Sequence, residues 1–174
     1  MLTKEDVMIT IKTVRQGISV SLFGQDGQES AELHEEDLPC EEEREDYDPE
    51  FDGPEEAEMM MEGRVVKTSQ RLELSYQESE LTGMEGSVTK IGFRLDCPEL
   101  VSMLRSGAVS TALVFEPNGR HVCVYNTPFS SFEVCVHTLE VRNELLENGE
   151  LYLDYLIEIH GAKTERCKMT VKVR

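Results

Sequence analysis

Nowhere does the chain approach the ~20 consecutive apolar residues that a membrane-spanning helix needs. Its first residues, MLTKEDVMITIK, also lack the apolar core of a secretory leader. The expected location is therefore the cytoplasm, with no membrane partner. Cysteine is sparse and unpatterned: Cys40, Cys97, Cys123, Cys135 and Cys167 form no CxxC or other ligand spacing, and an odd number argues against a disulfide framework. Cys123 and Cys135 could approach across a hairpin centred near Phe129, but cytosolic thiols are normally reduced. GxSxG, Walker A and HExxH signatures are all missing, so no catalytic residue can be named and no enzyme activity is expected. His34, His121, His137 and His160 share no ligand spacing and read as surface or edge residues, so neither a metal nor a cofactor is expected.

Positive charge is also scarce. Seventeen Lys and Arg face 35 Asp and Glu, a net charge of −18. The excess has one address: Gly24 to Glu62 holds 18 acidic residues and a single basic one, Arg44. The rest is close to neutral and carries no basic patch, so counterion release gives little drive for nucleic-acid binding. Residues 24–56 combine high charge density, three prolines and few apolar side chains, too little to offset the cost of ordering the chain. They read as a flexible acidic insertion, with a short helical turn within Glu29 to Glu36, in a single domain spanning 1–174. No EF-hand pattern marks the insertion as a calcium loop, and a solvated charge run is the simpler reading.

What the chain does have is a two-residue rhythm. In LELSYQE, Leu72, Leu74 and Tyr76 share one face of a strand, and Glu73, Ser75 and Gln77 share the other. Glu78 then falls on the apolar face, a local conflict of the kind that marks function or strain. The glycine-bearing LTGMEG supplies a turn, and Thr89, Ile91 and Phe93 alternate with Val88, Lys90 and Gly92 on the way back. Val7, Ile9 and Ile11 form a first strand, and Ile18 to Phe23 continues it or begins the next. Ala57 to Met61 and Arg64 to Lys67 suggest two short strands with a turn at Glu62-Gly63. RHVCVY and FEVCVHT make a hairpin whose two faces are both partly apolar, so the direction of Tyr125 stays open. Leu151, Leu153, Tyr155, Ile157 and Ile159 give the cleanest inward face, with Tyr152, Asp154, Glu158 and His160 outward. Met169, Val171 and Val173 end the series.

The block SYQESELTGMEGSVTKI, with MLRSGAV from Met103 and YNTPFSSFEVCVHT from Tyr125, resembles the YwiB-like family of small bacterial proteins of unknown function. That resemblance implies a calycin-like (lipocalin-like) barrel but transfers no activity. It also bears on Asp96 to Gly107. A cap, Pro98 at the first turn and Leu100, Met103 and Leu104 at helical spacing read as a short helix, whereas the resemblance implies a strand. As a strand, Val101, Met103 and Arg105 share a face. The expected fold is thus all-β, a single antiparallel barrel of about eight to ten strands, because closure removes exposed edges.

The candidate site is Glu78 with Arg105, joined by Tyr76 and Tyr125. Charges inside a barrel must find partners. Either the two plug one end as a mutual ion pair, or Arg105 holds an anionic, amphipathic small molecule while apolar side chains hold its tail. A self-filled barrel that serves as a protein-interaction module is the alternative.

Overall fold

The computed structural model describes residues 2–18, 53–159 and 164–174. Ten antiparallel strands form one sheet: β1 (Thr3–Ile18), β2 (Glu55–Lys67), β3 (Arg71–Gln77), β4 (Ser87–Arg94), β5 (Cys97–Gly107), β6 (Thr111–Phe115), β7 (Arg120–Asn126), β8 (Ser131–Glu144), β9 (Glu150–Ile159) and β10 (Thr164–Val173). Their order, β6-β5-β4-β3-β2-β1-β10-β9-β8-β7, is a meander that pairs sequence neighbours and joins β1 to β10. The sheet curls into a nearly closed barrel. Its seam lies between β6 and β7, which share one isolated bridge, Ser110 with Asn126. Lower down, Asn143 Nδ2 donates to the Pro98 carbonyl at 2.8 Å and ties β8 to β5. Odd strands run toward one end of the barrel and even strands run back, so the Glu78–Gly86 and Thr127–Ser130 loops crown the same, upper, mouth.

The alternation read from the sequence is what builds the interior. Ile9, Ile11, Leu72, Leu74, Ile91, Phe93, Val101, Met103, Leu151, Leu153, Met169 and Val171 are all buried in one core. Tyr125 also points inward, stacked on Phe132 with ring centroids 5.4 Å apart. Cys123 and Cys135 are both free. They cannot meet, because the register pairs Cys123 with Val134 and Cys135 with Val122, on opposite faces of the ribbon.

Several expectations need correction. Residues 55–67 are one strand, not two with a turn at Glu62-Gly63. Gly63 lies opposite Val7 and Tyr76 within the sheet. Its role is close packing: an added Cβ would stand 2.1 Å from Ile9 Cδ1 and 2.8 Å from the Ser75 carbonyl oxygen. Gly63→Val is accordingly expected to cost about 1–3 kcal/mol by overpacking, read as a lowered urea midpoint, whereas Gly53→Val, with open space around it, should leave the midpoint in place. Glu55 and Glu56, assigned to the acidic insertion, begin β2. Most of that insertion, with the Glu29 to Glu36 turn, Ser19 to Phe23, His34, Cys40 and His160, lies outside the described residues.

Asp96 to Gly107 is a strand from Cys97, and its helix-like signals give way to pairing with both β4 and β6. Pro98 sits where the β4–β5 register jumps from Phe93–Val101 to Arg94–Cys97, a bulge that asks nothing of its missing N–H. Asp154 faces outward as expected, yet its side chain is only 6% exposed. Arg166 covers it with two bonds of 2.9 and 2.7 Å.

Candidate functional site

At the upper mouth, strand register brings the site together. Tyr76 on β3 lies opposite Thr89 on β4, and Thr89 lies opposite Arg105 on β5. The row is polar where the rows below it are Leu, Ile and Met. Glu78, two residues past Tyr76, keeps the inward direction although β3 has ended, because its N–H still donates to the Ser87 carbonyl at 2.9 Å. Its side chain is 2% exposed, and that of Arg105 is 14% exposed.

Thr89 connects the two charges. Its hydroxyl donates to Glu78 Oε1 and accepts from Arg105 Nε at 3.3 Å. Arg105 Nε also stands 3.4 Å from Glu78 Oε1, a single long contact rather than a two-pronged pair. Among the described residues the two terminal Nη groups of Arg105 make no hydrogen bond. Tyr76 is held protonated: burial raises its pKa, and the Glu78 charge adds to the effect. Tyr125 shares no hydrogen bond with these side chains among the described residues and donates its hydroxyl to Met84 Sδ at 3.4 Å. Burial works to lower the pKa of Arg105, yet Tyr125 neighbours the guanidinium closely enough to help raise it.

Beside the ion pair lies a cavity of about 110 Å³, reached by Glu78, Arg105, Tyr76, Met59, Met84 and Leu81. Three of the four sequence-level candidates line it, and Tyr125 does not. Below it Phe115 and Tyr155 fill the interior, with ring centroids 4.8 Å apart. The space is well under the ~300–1,000 Å³ of an ordinary small-molecule pocket, and holds only about three or four waters' worth of volume. Around its rim Leu81 is 86% exposed, and Phe129, on the neighbouring hairpin tip, is 96% exposed.

Thr89 and Met84 were not singled out as site residues. For Thr89 a signal existed, since it takes the inward position in Thr89-Ile91-Phe93 where an apolar residue is expected. Neither buried Cys167 nor half-buried Cys123 is an activated thiol. Burial pushes Cys167 up to about 11 and raises Cys123 as well. No group of three or more His, Cys, Asp or Glu among the described residues is placed to hold a metal ion.

The fold and the mouth define a class: a small up-and-down β-barrel with a packed interior and a charged, partly hollow upper end. The chain belongs to the DUF1934 family, described as a domain of unknown function, whose profile matches residues 43–171. Its fold is similar to that in the crystal structure of the ywiB protein from Bacillus subtilis, with a TM-score of 0.61 and 15% identity, over 97% of this chain and 92% of that one. No curated protein matches the sequence. Among the described residues no helix is long and apolar enough to cross a membrane.

Proposed function

We propose that the domain binds a small anionic head group at Arg105, with an apolar remainder lying over Met59, Leu81 and Met84 at the mouth. The observation that carries this reading is the half-engaged guanidinium. Among the described residues only Nε of Arg105 is hydrogen-bonded, and the group adjoins the cavity. A buried arginine with unused donors has the geometry that grips a carboxylate through two parallel bonds. Cavity size sets the ligand: a head group of a few heavy atoms fits inside, and anything longer must extend over the exposed Leu81 rim. Binding rather than catalysis suits a site whose tyrosine is held protonated, in a barrel whose Cys123 and Cys167 thiols are raised by burial. Nucleic acid is an unsuitable partner for a near-neutral body with a strongly acidic excursion.

The test is an NMR titration of the full chain with butyrate, beside native mass spectrometry of protein purified from cells. Butyrate is expected to move the Arg105 Nε–H and Thr89 amide signals, butylamine is not, and Arg105→Met is expected to abolish the response. A clean native mass together with no butyrate-dependent shift would sink the proposal. A clean mass with a co-purifying protein would favour the interaction module.

A further inference from the structure

β2 is unequally partnered. It pairs with β1 along its whole length, from Arg15–Glu55 to Thr3–Lys67. On its other side it pairs with β3 only from Gly63 to Lys67. β3 ends at Gln77 and the chain turns away into a 3-10 turn at Glu80–Thr82, leaving Glu55 to Glu62 with a bare edge among the described residues. Alternate residues of an antiparallel strand aim their N–H and C=O groups to one side, so about four residues of this edge present unmet backbone donors and acceptors. Room is available. An open groove on the outer wall reaches the lower end of this edge at Glu62, lined also by Asp6, Met8, Arg64, Gln77 and Arg174. The exposed Leu81 stands over the upper part, lining the same cavity as Ala57 and Met59.

We infer that this edge accepts one added strand, an extended segment of a partner protein in which basic residues alternate with apolar ones. The chemistry of the edge selects the occupant. Its outward side chains are Glu56, Glu58, Met60 and Glu62. Glu56 is matched by Lys12 at 3.2 Å, while Glu58 and Glu62 make no ion pair among the described residues. A strand laid alongside sets its outward side chains directly opposite these carboxylates, where an opposite charge stabilises and a like charge repels. A second copy of β2 would place carboxylate against carboxylate. This chain's own residues 26–52, with fourteen acidic residues and one arginine, carry the same conflict. Inward positions meet Ala57, Met59 and Leu81, which favours short apolar side chains. Main-chain bonds supply the attachment and alternate side chains the selectivity, as in other strand additions. The inference goes beyond head-group binding at Arg105 and does not depend on it.

A fluorescently labelled peptide alternating lysine and valine, titrated into the full chain and followed by anisotropy, tests it. The peptide is expected to bind. The same peptide N-methylated at every second residue, which removes the ladder donors on one edge, is expected to bind at least about tenfold more weakly if that edge faces β2, so both methylation registers are made. Glu58→Lys with Glu62→Lys is expected to weaken binding about tenfold. Glu133→Lys with Glu147→Lys, an equal change of net charge placed on β8 and the β8–β9 turn, is expected to change it little. Equal binding by both methylated peptides, equal losses from the two pairs of reversals, or no binding of the parent peptide would each overturn the inference.

Discussion

Arg105→Ala is expected to cost about 3–5 kcal/mol of folding stability, a large fraction of the ~5–15 kcal/mol that holds a domain together. The loss comes less from the missing contact than from what it leaves behind. Glu78, with a side chain 2% exposed, would be left buried with a threonine hydroxyl and no cation beside it. Glu78→Leu combined with Arg105→Met should recover most of the loss, because a buried pair replaced by apolar residues of similar volume is often neutral. Urea melts followed by circular dichroism read both. The same pair of variants separates a plug from an anchor. If the double variant folds well and butyrate no longer shifts Thr89, the charges serve binding. If the double variant is as unstable as the single one, the pair is not what the mouth depends on, and the account of Glu78 given above is wrong.

The same two residues show how far the sequence could be read. Glu78 stood out because it breaks an alternating apolar row, and a period of two is a strong signal over seven residues, whereas Arg105 joined it only through the strand that the family resemblance implied for its segment. Thr89 was legible as a polar residue on an inward row, but not as the partner of both charges, since that depends on register across three strands. Gly63 misled for a related reason. A glycine between apolar runs reads as punctuation, but here its missing side chain makes room for Ile9 from the next strand. The helix-like Asp96 to Leu104 passage shows tertiary pairing overriding local propensity, with Pro98 excused from the ladder by a bulge. Asp154 was legible as outward but not as covered, because Arg166 reaches it from a different strand. The bare edge of β2 could not be foreseen at all. It arises from the unequal lengths of β2 and β3, and strand ends are where sequence patterns fade.

Phe115→Ala is expected to cost about 3–5 kcal/mol, and to do so unevenly. Phe115 is fully buried on β6, the strand at one margin of the sheet. β6 is held by the β5 ladder on one side, and toward β7 by the Ser110–Asn126 bridge and the Thr111 hydroxyl donating to Cys123 Sγ at 3.8 Å. Closure there rests on side chains, chiefly the Phe115 ring against Tyr155 from β9 across the interior. Removing the ring takes away that contact where no ladder stands in for it. Leu153→Ala on β9, paired on both sides by β8 and β10, loses similar apolar burial but leaves its ladders intact. Both variants should lower the urea midpoint. Hydrogen exchange distinguishes them: amides of Thr111–Phe115 and Arg120–Tyr125 should lose protection beyond the global change in Phe115→Ala and only in step with it in Leu153→Ala. Uniform loss of protection in both would mean that the seam is no weaker than the rest of the wall, and that the barrel is closed by something other than the packing of this ring.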